Sequence, residues 1–222
     1  MASRPNQADP RPQPRLYLLT PYLADTAGFA APLQAALEAA DVAAVLLRLH
    51  EAQGADERGL INRAKTLAPV VQSAGAALVL DGHTDLVARA GADGVHLTGL
   101  DDFAEALERL KPERIVGVGG LATRHDGMLA AERGADYVMF GMPDAGGRRP
   151  PFAAIEERVA WWAELFELPC VACADSLDEI APLVAAGADF IALGEWLWRD
   201  GSAITATLQT AGAYLRLPEA IA

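Results

Sequence analysis

Arg48 and His50 stand two residues apart at the end of a short apolar run, Val45-Leu-Leu-Arg-Leu-His50, and Asp81 and His83 do the same in Leu80-Asp-Gly-His83. On an extended chain alternate side chains share a face, so each pair points one way, with Leu46 joining Arg48 and His50. A guanidinium, imidazoles and a carboxylate gathered at strand ends are groups that hold anions and move protons. A further histidine, His96, lies in Val95-His-Leu97, followed shortly by Asp101 and Asp102. Gly117-Val-Gly119-Gly120 ends another run with no side chain to keep an anion from backbone N–H groups. The segment Pro143-Asp-Ala-Gly-Gly-Arg148-Arg149-Pro150 places two guanidinium groups, suited to bidentate phosphate contacts, on a glycine-bearing loop.

Most of these groups also have a plainer reading. Arg148 and Arg149 equally suit a solvated loop, a Gly-Gly pair suits a turn, and acidic residues that open a helix are explained by capping and the helix dipole. His96 fits a hydrogen-bonded core histidine. Arg48 resists such a reading, because a guanidinium on the inward face of an otherwise apolar strand needs partners. The only lysines, Lys65 and Lys111, fall in helix-like stretches, so no strand end offers an amine and Schiff-base chemistry is excluded.

The elements that must position these groups are announced by a line written three times: Gly91-Ala-Asp-Gly-Val-His-Leu97, Gly134-Ala-Asp-Tyr-Val-Met-Phe-Gly141 and Gly187-Ala-Asp-Phe-Ile-Ala-Leu-Gly194. Each follows an alanine-rich stretch. Glycine suits the left-handed cap that ends a helix, and the short, continuous apolar run after each aspartate suits a strand covered on both faces. Each copy therefore reads as a helix-to-parallel-strand junction. Strand-like runs recur at residues 16–20, 43–49, 77–81, 94–97, 114–118, 137–141, 170–173 and 190–194. Amphipathic stretches separate them at 29–40, 57–74, 84–90, 101–110, 124–133, 152–166 and 177–186, and a last one follows Ser202. This α/β alternation predicts a single (β/α)8 TIM barrel over residues 16–222, with a doubly wound open sheet as the alternative. In such barrels chemistry sits at the C-terminal strand ends, where the groups above lie.

Composition narrows the function classes. Hydrophobic residues make up 52% of the 222, enough for a sizeable core, while no apolar run is long enough to span a bilayer. Residues 1–15, rich in Pro, Arg, Gln and Asn and without an apolar signal core, read as a flexible tail and not as a targeting peptide, so a cytoplasmic location is expected. Cys170 and Cys173 have CxxC spacing but sit in an apolar run with no sign of two further zinc ligands, and buried strand cysteines are the better reading. A net charge of −12 argues against nucleic acid or an anionic membrane as partner and leaves a small molecule.

From about Leu16 to Trp196 the chain resembles the thiamine phosphate synthase and thiazole tautomerase family of (β/α)8 barrels, most closely in Gly91 to Leu97 and Gly134 to Gly141. The resemblance implies a condensation in which a thiazole phosphate's nitrogen attacks a pyrimidine diphosphate and releases pyrophosphate, with magnesium at the strand ends, and it implies a homodimer. Set against the family pattern, Arg48, His96 and Asp101 keep an arginine, a histidine and a magnesium aspartate, and Arg148 stands in for a loop lysine. Leu46 replaces a glutamine, His50 a diphosphate-binding lysine, Asp81 an asparagine, Gly82 the other magnesium aspartate, His83 an arginine and Gly119 a serine. Leu121 falls near the place of the tautomerases' histidine. Asp175 and Glu195 stand where the family seats the thiazole phosphate, and carboxylates beside a dianion cost on the order of several kcal/mol without a cation between them.

These matches imply Arg48, His50 and His96 as catalytic groups. Ligand contacts would come from Asp81, His83, Gly119, Gly120, Arg148, Arg149, Asp175 and Glu195, with any magnesium held by Asp81 and Asp101. The departures imply a divergent barrel that binds a small, thiamine-precursor-like ligand and has lost, or much reduced, the parent condensation. An active synthase and a non-catalytic ligand-binding or regulatory barrel are the alternatives.

Overall fold

Each Gly-Ala-Asp repeat turns out to be a clasp between successive strands. In the computed structural model, which describes residues 12–50, 56–143 and 147–216, Gly91, Gly134 and Gly187 take φ of 71°, 97° and 96°, the left-handed caps that only glycine adopts freely. The alanine that follows is buried each time, and the carboxylates of Asp93, Asp136 and Asp189 accept the backbone N–H of Leu78, Val116 and Cys170 at 2.8, 2.7 and 2.8 Å. A charge-assisted bond thus fixes the entry of a strand to the start of an earlier one.

The strands are β1 (Arg15–Leu19), β2 (Val42–Leu47), β3 (Ala77–Asp81), β4 (Gly94–Thr98), β5 (Ile115–Gly119), β6 (Tyr137–Phe140), β7 (Cys170–Ala174) and β8 (Phe190–Leu193). All pair in parallel with their sequence neighbours, and β8 returns to β1, which closes the expected barrel and excludes the open sheet. The helices are α1 (Ala30–Ala39), α2 (Glu57–Ser73), α3 (Val87–Ala90), α4 (Phe103–Leu110), α5 (Arg124–Arg133), α6 (Phe152–Leu165), α7 (Ile180–Ala185) and α8 (Ile204–Tyr214). None of the described helices is long and apolar enough to cross a membrane.

Three local expectations change. Two of the predicted helices start as 3-10 turns, Thr84–Leu86 and Leu177–Glu179, and a third 3-10 turn, Glu195–Trp198, follows β8. The larger rise of a 3-10 turn carries the chain from a strand end towards the outer ring in few residues. β2 stops at Leu47, so Arg48 and His50 lie beyond the ladder and only Leu49 makes an isolated bridge, to Leu23. Arg15 opens β1 and pairs with Asp41, while residues 1–11 of the expected tail, and residues 217–222, lie outside the described residues.

Alternation along the strands separates two apolar sets. Outward residues pack under the helices with Trp162, which stacks on Phe166 at 4.1 Å between centroids. Trp161 meets Phe166 and Arg124, and Trp196 and Trp198 donate to the carbonyls of Ala174 and Leu19, so all four tryptophans have partners within the chain. Inward residues fill the barrel, among them Tyr17, Leu46, Val79, Tyr137, Met139 and Cys173. Cys170 belongs to the outer set and Cys173 to the inner one, as three-residue spacing on a strand requires, and neither forms a disulfide. Bare backbone on β5 makes room for an inward tyrosine ring: a Cβ on Gly117 would stand 2.0 Å from the Tyr137 ring.

Gly117→Ala should therefore cost at least about 1–3 kcal/mol by overpacking. Gly212→Ala, in α8 with nothing within 4 Å, should be neutral or stabilising by up to about 1 kcal/mol. Urea-unfolding midpoints of the two variants check the contrast, and similar midpoints would contradict it.

Candidate functional site

Arg48 is held from three directions at the C-terminal mouth of the barrel. Its backbone N–H donates to Thr20 Oγ1 at 2.9 Å and its Nε–H to the Thr20 carbonyl at 2.6 Å. Its Nη2 donates to Glu195 Oε1 at 3.0 Å, and its guanidinium lies 4.7 Å above the Tyr22 ring. Only 9% of Arg48 is exposed, so the guanidinium that sequence reasoning found hard to place has the partners that burial demands. Glu195 keeps half its side chain in solvent.

Arg48 and Glu195 share a cleft of about 270 Å3 with Asp175, Arg149 and Arg199, over a floor that includes Leu19, Cys173 and Ala192. The Glu195 carboxylate after β8 thus faces the mouth that Arg48 occupies, and Asp175 after β7 lines the same cleft. Arg149 does not wait there for an anion: its two terminal nitrogens donate to Glu179 at 3.2 and 2.6 Å, and Nη2 also donates to the Cys173 carbonyl at 3.0 Å. Glu179 in turn accepts the backbone N–H of Asp175 at 2.7 Å, so Arg149 braces the loop after β6 against the end of β7. Burial pushes the Cys173 thiol up to about 12, with Arg149 and Arg48 opposing the rise, so it offers no thiolate near neutrality. Arg148 is exposed and lines a neighbouring cleft of about 530 Å3 with Gly120, Met139 and Arg158. Residues 144–146 of this loop lie outside the described residues.

Beside Arg48, the side chains of Tyr22, His50, Asp81 and His83 line a third hollow, of about 330 Å3. Burial raises the proton affinity of the Asp81 carboxyl, and Arg48, His83 and a hydrogen bond from Tyr22 oppose the rise. These surroundings bear on magnesium. Among the described residues no three His, Cys, Asp or Glu side chains are grouped to hold a metal ion, and Asp81 faces a guanidinium and an imidazole. Gly82 has open space where a Cβ would point, so the position of the family's second aspartate is vacant of donors. Asp101 is exposed and unpaired among the described residues, and Asp102 sits at the N-cap of α4 without a side-chain cap bond. Among the described residues the protein side chains alone thus supply no full coordination shell, and a magnesium ion would depend on ligand oxygens for the rest.

His96 stands apart from the other two histidines. It is aligned with Asp81 in the β3–β4 ladder and fully buried, while His50 and His83 sit beyond the strand ends. Its Nδ1 lies 2.9 Å from the Tyr137 hydroxyl, and its Nε2 has no partner among the described residues. The Gly119 carbonyl accepts the Gly99 N–H at 2.8 Å, and Gly120, at φ 63°, needs glycine because a Cβ would meet Thr98 Cγ2 at 2.6 Å. Sequence reasoning missed Thr20, Tyr22, Glu179, Tyr17 and Tyr137. Of these, Tyr17 and Tyr137 carried a signal, being polar rings at inward positions of otherwise apolar strands.

Comparison with known proteins agrees with this architecture. A family model described as thiamine monophosphate synthase matches residues 16–197. The thiamine-phosphate synthase of Rhodospirillum centenum is 43% identical over 188 residues, which cover 83% of this chain and 89% of that protein. That of Hyphomonas neptunium is 37% identical over 204 residues, covering 88% and 92%. Among solved structures, a thiamine phosphate pyrophosphorylase from Pyrococcus furiosus superposes with a TM-score of 0.74 over 92% of this chain and 96% of that one, and at 20% identity this likeness speaks for the fold alone.

Burial lowers the His96 pKa from 6.5 to about 3. The unfolded chain takes up a proton that the folded chain refuses, so this contribution to stability is complete above about pH 6.5 and is lost as pH falls towards 3, by up to about 1.4 kcal/mol per pH unit. Urea-unfolding free energies between pH 7 and pH 4.5 should fall more steeply for the native chain than for His96→Gln. Parallel slopes would contradict the assignment.

Proposed function

This chain belongs to the thiamine monophosphate synthase family, and from that premise we propose that it performs the family's condensation, joining a pyrimidine diphosphate to a thiazole phosphate with release of pyrophosphate. One observation carries the reading. Glu195, which on sequence grounds should repel a phosphate, sits on Arg48 at 3.0 Å, so the acid in the mouth is matched by a cation before any ligand arrives. The synthase name borne by relatives that are 43% and 37% identical over most of their length supports it.

The protein's task in such a reaction is binding, orientation and charge. The thiazole nitrogen forms the new bond to carbon as the carbon–oxygen bond to pyrophosphate breaks, so no protein group has to remove a proton from the reacting atoms. Arg48, oriented by Thr20 and Tyr22, turns its free N–H groups to a phosphate as Glu195 swings to solvent, and Arg148 approaches from the loop after β6. A magnesium ion carried in on the diphosphate would be held through Asp81 and Asp101 and would offset the charge of the departing pyrophosphate. The same reading makes the partner a small molecule, the assembly a homodimer and the location the cytoplasm.

A second reading has its own support. Arg48 and Arg149 already carry Glu195 and Glu179, and Arg199 is the cleft arginine with no carboxylate partner among the described residues. Few uncommitted cations suit a less phosphorylated ligand, with the condensation reduced or absent.

Purified protein supplied with both phosphorylated precursors and magnesium should yield thiamine phosphate and pyrophosphate in equal amounts, and Arg48→Ala should slow product formation by about 100-fold or more. No product above the blank, with larger thermal shifts for the unphosphorylated pyrimidine and thiazole alcohols than for their phosphates, would overturn the first reading in favour of the second.

A further inference from the structure

Tyr17, Tyr137 and His96 form a row across the barrel interior. The two hydroxyls are 2.8 Å apart, and Tyr137 Oη is 2.9 Å from His96 Nδ1. The imidazole and the Tyr137 ring stack at 5.7 Å with 13° between planes, and all three residues are buried. Among the described residues the hydroxyls have no other hydrogen-bond partner, and Nε2 has none at all.

Placing the protons gives this row a direction. A neutral imidazole and two phenols bring three protons to two hydrogen bonds. If Tyr17 donates to Tyr137 and Tyr137 donates to Nδ1, both hydroxyl protons are used, and the one group left over is an N–H on Nε2. If Nδ1 carries the proton and donates to Tyr137, one hydroxyl proton finds no acceptor and the Nε2 lone pair finds no donor. That leaves two stranded groups in place of one, and stranded groups in a dry interior are costly.

We infer that Tyr137, held in turn by Tyr17, locks His96 in the tautomer with its proton on Nε2, which makes His96 a fixed hydrogen-bond donor, directed at the Gly119 end of β5, for an acceptor atom of the bound ligand. A Cβ on Gly119 would stand 2.8 Å from Nε2 and 3.4 Å from Met139 Cβ, and Met139 and Gly120 line the 530 Å3 cleft. Bare backbone at Gly119 therefore leaves the space beside Nε2 free of a side chain, on the side of β5 where the cleft begins at Gly120, although His96 itself is fully buried and lines no cleft. Tyr17 and Tyr137 are positioning residues, acting through His96. An imidazole fixed in this way has no lone pair on Nε2 with which to take a proton, so His96 is a donor and not a general base. Burial, which lowers its pKa, keeps it neutral across the working range.

The test is a long-range proton–nitrogen NMR spectrum of the full chain labelled with 15N-histidine, with His96 identified by its loss in His96→Gln. At pH 7 the His96 signals should report a protonated Nε2 and a bare Nδ1, and the same at pH 5.5. In Tyr137→Phe Nδ1 loses its one partner, so the preference should vanish and both tautomers should appear, while in Tyr17→Phe the Tyr137 hydroxyl proton keeps Nδ1 as its acceptor and the native pattern should persist. A proton on Nδ1 in the native chain overturns the inference, and so does a Tyr137→Phe spectrum identical to the native one. Should Tyr137→Phe fail to fold, the native spectrum alone decides the tautomer. None of these outcomes depends on turnover, so the inference and the proposed condensation can fail separately.

Discussion

A guanidinium at the rim of an apolar barrel has to be held from several sides, and the way Arg48 is held organises the whole mouth. Thr20 fixes its root from the end of β1, Tyr22 covers its face, and Glu195 reaches it from the turn after β8. Three stretches far apart in sequence thereby meet at one charge. The field of that charge reaches further, opposing the rise in proton affinity that burial imposes on Asp81 and Cys173. Because 53% of the Glu195 side chain is exposed, the ion pair adds only about 0.2–1 kcal/mol to stability. Its larger consequence is occupancy: an anionic ligand competes with a weakly held internal carboxylate and not with a buried one.

Beneath that rim the barrel is built to be rigid. The aspartate clasps fix strand entries at the bottom, and glycines on β5 leave the volume that Tyr137 and His96 occupy inside. Arg149 and Glu179 do for the loop after β6 what Thr20 does for Arg48, tying a flexible, glycine-bearing segment to a strand end. The chain thus spends part of its cationic equipment on architecture, which is why counting arginines in the sequence overstates the groups available to a phosphate.

The closed barrel was legible because its repeats have local causes: a left-handed glycine and an aspartate that bonds a neighbouring strand leave the same residues in the same order three times. The placement of Arg48 and of the acids after β7 and β8 was legible from alternation and strand order. Partners were not. Nothing local in the sequence says that Glu179, thirty residues from Arg149, will take its guanidinium. Nor does spacing reveal height: register aligns His96 with Asp81, while His50 and His83 lie past the ends of β2 and β3. Three histidines at strand ends therefore divide into two at the rim and one inside, with different chemistry available to each.

The most direct measurement is the calorimetric affinity for pyrophosphate across the four proteins of an Arg48→Ala and Glu195→Gln cycle. If Glu195 occupies the groups that Arg48 would offer an anion, Glu195→Gln should tighten binding about tenfold, equivalent to about 1.4 kcal/mol, while Arg48 is present, and by clearly less, through relief of repulsion alone, once Arg48 is replaced. An equal gain in both backgrounds, or no gain in either, would contradict a mouth governed by that pair.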